Sequence, residues 1–298
     1  MTLLEKTKAA SATERKPLDE EIDVFGLTHV GKVRANNQDH FLICSLRKRM
    51  DVHLSSLPDL GSFPLDTQRI AFLAMVADGV GGRAQGEEAA RLAVEAITQY
   101  VAHSMHCYYT ADPSDDRAFS RALEEAALQC HARLAREAES DPRRRGMATT
   151  LTLVLGVWPR LYLLQVGDSR YYLMRDAVLT QISRDQTMAQ ELIDQGVITR
   201  TDAYNSRWAN VLSSAIGGPQ TSPVVTAIDN TWDSVHLLCS DGLTRHVSDQ
   251  RIGERLRTMV SARQACEALL QDALDAGGTD NITILVGRVV RRDGANID

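Results

Sequence analysis

An α+β fold is predicted, on three grounds. Strand-like runs cluster: 147–157, 161–166, 171–174 and 178–182 follow one another through short breaks and read as an antiparallel meander. Helix-like stripes also cluster, in a pair before this meander and a pair near the C-terminus. No regular strand–helix–strand alternation joins the two kinds of run, and no internal repeat is visible.

Taken in order, residues 1–21 are rich in Lys, Glu, Ala, Thr and Ser with little periodic apolar content, as in a flexible tail. A first strand at 22–30 leads into the polar stretch 31–39, which ends on Asp39 before the apolar 40–44. Residues 46–69 mix Arg, Lys, Pro, Gly and Ser and predict a long exposed connection. The run 70–77 (IAFLAMVA) is short, apolar and bounded by turn residues, which predicts a strand buried on both faces. Asp78 then stands where this strand gives way to Gly79-Val80-Gly81-Gly82.

Ala90, Val94, Ile97 and Val101 form a helical stripe, and Phe119, Leu123, Ala127, Cys130 and Leu134 form a second. The basic turn 141–146 precedes the meander. A helix is predicted over 186–196, with Met188, Leu192 and Ile193 on one side and Gly196 as its stop. Irregular chain at 198–220 is followed by strands at 224–228 and 235–239, helices at 249–259 and 262–276, and a last strand at 282–290. Residues 22–290 are expected to form one domain, with 291–298 a C-terminal tail.

Composition narrows the function classes. The chain has 298 residues and a formal net charge of −6, so no basic footprint points to nucleic acid or an anionic membrane surface. Its apolar runs are too short to span a bilayer and its N-terminus lacks a signal-peptide core, so a cytoplasmic protein is expected. Cys44, Cys107, Cys130, Cys239 and Cys266 are odd in number and widely spaced, as befits reduced thiols.

Five acids carry the chemical argument: Asp39, Asp78, Asp168, Asp241 and Asp280 each stand at the end of an apolar run beside small or polar residues. Singly, each reads as a cap or turn residue. Gathered at one sheet edge, they would repel one another unless cations neutralised them. Mg²⁺ or Mn²⁺ suits oxygen donors better than zinc, which favours His or Cys. Two such ions about 4 Å apart acidify a water and aim it at phosphorus, which is phosphoester hydrolysis without a covalent enzyme intermediate. Glycines at 79, 81 and 82 allow close main-chain approach and leave carbonyl oxygens free.

Seven blocks then become informative together: GKVRANNQD (31–39), ADGVGG (77–82), ATTLT (148–152), VGDSR (166–170), SSAIGG (213–218), CSDGL (239–243) and GGTDNIT (277–283). In this order, over nearly all of 22–290, the chain resembles the metal-dependent protein phosphatases of the PPM (type 2C) family, bacterial soluble type. The resemblance implies a protein serine/threonine phosphatase using two Mg²⁺ or Mn²⁺ ions. It also implies a four-layer α-β-β-α sandwich, two central antiparallel sheets flanked by helix pairs.

Carried onto this chain, the resemblance implies that Asp78 bridges both ions, with the Gly79 carbonyl on one. Asp241 and Asp280 would hold the first ion and Asp39 the second. Arg34 would bind the substrate phosphate, and Asp168 with Asp241 a weaker third ion. Implied partners are phosphoserine and phosphothreonine proteins, the substrates of a Ser/Thr kinase, with the kinase itself a further candidate. Residues 186–204 correspond to a flap beside the active site. There are two departures. Gln38 stands where many members carry Glu, and Val80 replaces a histidine proposed as general acid in some eukaryotic relatives.

Competing readings are specific. Cys130 to Arg136 and Cys239 to Arg245 both satisfy the C-x5-R spacing of cysteine-dependent phosphatases. The first lies in a periodic helix without a glycine cradle, and in the second Asp241 puts an anion where phosphate must sit. His103, His106 and Cys107 suggest metal by composition only, and a helix-end surface patch is the simpler account. Arg143, Arg144 and Arg145 read as a solvated turn. A phosphatase-like module that binds without turnover would lack ligand acids, and here all are present.

Overall fold

The computed structural model describes residues 15–48, 68–81, 85–104, 115–204 and 206–291. Most of the expected connection at 46–69, together with Gly82, His106 and Cys107, lies outside these residues.

Two antiparallel sheets form the centre. The five-stranded sheet runs in the order β1 (Ile22–His29), β11 (Ile282–Val289), β10 (Val235–Cys239), β7 (Arg170–Arg175), β8 (Val178–Gln181). The other runs β2 (Asp39–Lys48), β3 (Gln68–Val80), β5 (Leu151–Val157), β6 (Arg160–Val166), β9 (Val224–Asp229), with the short β4 (Ala148–Thr149) on the end of β3. Helices α1 (Gln85–His103) and α2 (Asp116–Ser140) cover the second sheet. Helices α6 (Asp249–Arg257) and α7 (Ala262–Asp275) cover the first. The remaining helices are α3 (Met188–Asp194), α4 (Arg200–Tyr204) and α5 (Asp241–Thr244).

The layers follow from the sequence pattern. Along β3, Ala71, Leu73 and Met75 face α1 and α2, while Val76 and the partly buried Ala74 face the other sheet. That is the two-faced burial the apolar run predicts. The stripe on α2 places Phe119, Leu123, Ala127, Cys130 and Leu134 in the same core, with Phe119 stacked 4.7 Å from Tyr162. Asp115 caps that helix by accepting from the Ala118 N–H at 3.1 Å. On the other side, Ile252, Leu256, Cys266 and Leu269 close over Leu237 and Ile284. The result is the four-layer α-β-β-α sandwich.

Two details differ from the sequence reading. Asp78-Gly79 does not open a turn, because β3 continues through Val80 and pairs Gly79 with Thr149. The glycine serves close approach instead: a Cβ there would lie 2.2 Å from the Gly86 carbonyl oxygen at the start of α1. Within the expected tail, residues 17–21 are tied down. Arg69 donates to Asp19 Oδ1 at 2.5 Å and to the Pro17 carbonyl, and the Val290 N–H donates to the Glu21 carbonyl at 2.8 Å.

Between the sheets, away from the acids, His236 lines an apolar cavity of about 130 Å³ with Tyr171, Leu238 and Val154. Its Nδ1 lies 2.7 Å from the Tyr171 hydroxyl. What surface the ring keeps faces this cavity, so burial dominates and lowers its pKa from 6.5 to about 4. A base whose pKa is depressed by folding stabilises the native state above its unfolded pKa and withdraws that contribution as pH falls. Between pH ~6.5 and ~4 the loss should reach about 3 kcal/mol. Urea unfolding of wild type and His236→Phe across this window should show the wild type losing more stability; equal slopes would contradict the assignment.

Candidate active site

The β2–β3 ladder sets Asp39 directly opposite Asp78. Like charges in that position repel, and hydroxyl donors partly relieve Asp39. Ser240 and Thr283 each donate a hydroxyl to Asp39 Oδ2 at 2.7 Å, whereas Asp39 Oδ1 is buried without a partner. Burial outweighs those two bonds and raises the Asp39 carboxyl from 3.8 to about 6. The Asp78 backbone is fixed by an N–H donated to Thr150 Oγ1 at 3.0 Å and by its carbonyl, which accepts from Thr149 Oγ1 at 2.8 Å. Its carboxyl keeps some surface open, yet it is enclosed enough that burial, then the charges of Asp39, Asp241, Asp168 and Asp280, push its pKa well up. Asp78 is thus the acid that the other four reach.

Asp241 begins α5, immediately beyond β10. Gly242 allows this turn to rest on the β11 loop, since a Cβ there would lie 1.9 Å from the Asn281 carbonyl oxygen. The Asp241 side chain is ion-paired with Arg245, and burial is the main cause of its raised pKa. Asp280 receives Arg34 Nε on Oδ1 at 2.7 Å and Arg34 Nη2 on Oδ2 at 2.8 Å, and Arg245 Nη1 on Oδ2 at 2.7 Å. The Arg34 side chain is 49% exposed, and since Nε and Nη2 are engaged by Asp280, its outer edge of Nη1 and the second Nη2 hydrogen is the one a ligand in solvent can reach. Asp168 follows Gly167, whose φ of +106° and tight packing on Thr150 leave no room for a side chain. Burial first, then Asp241 and Asp185, raise the Asp168 pKa, and Arg245 opposes them.

Residues within the motif blocks to which the sequence assigns no metal or phosphate role hold this arrangement together. Asn281 is 4% exposed; its Nδ2 donates to the Val30 and Asn36 carbonyls at 2.9 and 3.0 Å, and its Oδ1 accepts from the Gln38 N–H at 2.9 Å. It staples the 30–38 loop, which carries Arg34, to the loop that carries Asp280. Thr150 Oγ1 links the Asp78 backbone to Ser169 Oγ at 3.0 Å, joining the β3 and β6 ends of the site. Gln38 gives the site no charge, and its Nε2 is buried without a partner.

The donor set fits a hard divalent cation. It consists of carboxylate and carbonyl oxygens, and Asp39 Oδ1 is a buried acceptor with no donor of its own. Among the described residues, no three acidic, His or Cys side chains close into a ready-made cage. The guanidinium groups of Arg34 and Arg245 are interleaved with Asp241 and Asp280 instead. Beside the acids opens a cleft of about 790 Å³ lined by Asp168, Arg184, Ile193, Asn210 and Arg245, so the 186–204 segment forms one wall.

The cysteine reading is overturned. Cys239 is fully buried and burial pushes its thiol up to about 12; Cys130 lies in the α2 core and is likewise pushed up to about 12. Neither offers a thiolate to a substrate. His103 Nδ1 lies 2.6 Å from the Gln99 carbonyl oxygen. Arg143 pairs with Asp141, while Arg144 pairs with Glu88 and Glu137 and braces α1 against α2.

Comparison with known proteins gives a consistent picture. A family model described as protein phosphatase 2C matches residues 62–279. The serine/threonine protein phosphatase PstP of Mycobacterium tuberculosis is 36% identical over 223 residues, covering 75% of this chain and 41% of that protein. The chain therefore spans about two fifths of that relative's length. The serine/threonine phosphatase stp of Listeria monocytogenes is 31% identical over 223 residues, covering 74% of this chain and 84% of that protein. A solved structure of the PstP catalytic domain in complex with two manganese ions superposes with a TM-score of 0.68 at 31% identity, covering 91% of this chain and 99% of that one.

Proposed function

The chain belongs to the protein phosphatase 2C family, and from that premise we propose that it hydrolyses phosphoserine and phosphothreonine in proteins, with Mg²⁺ or Mn²⁺ held by its clustered acids. The observation that carries the reading is the Asp39–Asp78 pair, in register, one oxygen unpartnered, with Asp241, Asp280 and Asp168 acting on Asp78 electrostatically. Asp39, Asp78, Asp241, Asp280 and the Gly79 carbonyl would hold two ions, with Asp168 and Asp241 open to a third. Bound there, the ions would supply Lewis acidity that activates water and neutralises phosphoryl charge.

The chain's own groups account for the rest. Arg34 presents a planar fork at the solvent edge of the acids, suited to two phosphate oxygens. Asp280 holds that fork in place, and the Asn281 staple keeps the two loops in step. With no His at position 80, protonation of the leaving serine or threonine oxygen falls to solvent in the cleft. The wall formed by 186–204 supports its reading as a flap that admits the phosphorylated segment. Substrates of a Ser/Thr kinase, and the kinase itself, are the expected partners. A cytoplasmic setting is proposed, and no helix among the described residues is long and apolar enough to cross a membrane.

The test is hydrolysis of an aryl phosphate and a phosphothreonine peptide with Mn²⁺, with EDTA, and after thiol alkylation. Turnover that needs Mn²⁺ and resists alkylation supports the proposal. Turnover that survives EDTA contradicts it, and no turnover under any condition favours a binding module. Arg34→Ala should lower kcat/KM for the peptide by about a hundredfold, as expected for loss of a charged phosphate clamp. A change below about threefold would remove Arg34 from the phosphate site.

A further inference from the structure

Arg245 has no part in the function proposed above, yet it sits among the acids. It follows α5 as its C-cap, with its N–H donating to the Asp241 carbonyl at 2.9 Å. One helical turn thus returns the side chain over the acid that starts the helix. Nη2 pairs with Asp241 Oδ2, and Nη1 donates to Asp280 Oδ2 at 2.7 Å. The side chain is 32% exposed and forms part of the cleft wall. Phosphate recognition does not require it, since Arg34 already supplies a fork at the outer edge of Asp280.

We propose that Arg245 is a tethered cation that competes with divalent ions for Asp241 and Asp280, and so sets the Mg²⁺ or Mn²⁺ concentration at which the site fills. The inference rests on the reading of these acids as metal ligands. A guanidinium is permanently charged and here engages the oxygens an ion would take. An ion entering must displace it, and the displaced group, held by the short α5 turn, stays close enough to repel the ion. Charge repulsion over a few ångströms in a partly buried site is worth at least about tenfold in affinity. The same ion pairs neutralise Asp241 and Asp280 when divalent ions are scarce. Arg245 therefore stabilises the fold under the conditions in which it opposes metal binding.

Two readouts other than turnover test this on the full chain: Mn²⁺ uptake, followed by the electron paramagnetic resonance of free Mn²⁺, and thermal unfolding in EDTA. Arg245→Ala should bind Mn²⁺ about tenfold more tightly than wild type and melt at a lower temperature in EDTA. Arg245→Lys keeps the charge and should stay within about threefold of wild type for Mn²⁺. Arg245→Gln should repeat the sign of the alanine change if the latter fails to fold. Wild-type uptake with no gain in the neutral variants overturns the inference alone, as does a lysine variant that binds as tightly as the alanine one. Failure of the wild type to take up Mn²⁺ overturns the metal reading and this inference with it.

Discussion

Asp78→Asn is expected to lower Mn²⁺-dependent turnover of an aryl phosphate by about a thousandfold or more, with the fold intact. Four other aspartates converge electrostatically on this carboxyl, so it is the group whose charge the site can least replace. The same crowding predicts a second effect of opposite sign. In EDTA at neutral pH, Asp78→Asn should unfold at a higher temperature than wild type, because the substitution removes a buried charge that burial and its neighbours disfavour. Lost activity with gained stability is the signature of an acid kept for function. Near-normal turnover, or lower stability in EDTA, would contradict the assignment.

Asn281→Ala should lower both stability and turnover although the residue is not one of the acids. It leaves the Val30 and Asn36 carbonyls and the Gln38 N–H without the side chain they bond, in a position that is 4% exposed. Three hydrogen bonds to partly exposed backbone groups are worth about 1 kcal/mol each, so a loss of about 3 kcal/mol is expected. Arg34 and Asp280 sit on the two loops this side chain joins, so turnover should also fall by about 10–100-fold. Urea denaturation and steady-state kinetics on one preparation check both effects. A variant as stable as wild type would show that the loops hold their relation without the staple.

The five acids stand out in the sequence at the ends of apolar runs beside small or polar residues, but singly each reads as a cap or turn residue, and the metal-ligand expectation came with the ordered family blocks. The α+β class was legible for a similar reason, since the periods of β3, α2 and the meander differ visibly. The layering of two sheets between helix pairs came only from the family resemblance, because strand order is a long-range property. Asp78-Gly79 read locally as a turn, and the strand continues there by pairing Gly79 with Thr149, with Gly86 packed against it. Arg245 and Asn281 carried no signal of their roles. The partner of Arg245 at Asp280 is 35 residues away, and the Asn281 contacts span 243 to 251 residues. Cys239 is the converse case, a motif of correct spacing that Asp241 already argues against in the sequence and that burial denies chemistry.

The central claim is that distant acids meet to hold divalent ions for phosphoester hydrolysis, and crystals soaked in Mn²⁺ test it most directly. Anomalous scattering should place two manganese peaks between Asp39, Asp78, Asp241 and Asp280, with Asp78 touching both. Peaks bound elsewhere, or none among these four carboxylates at saturating Mn²⁺, would contradict it.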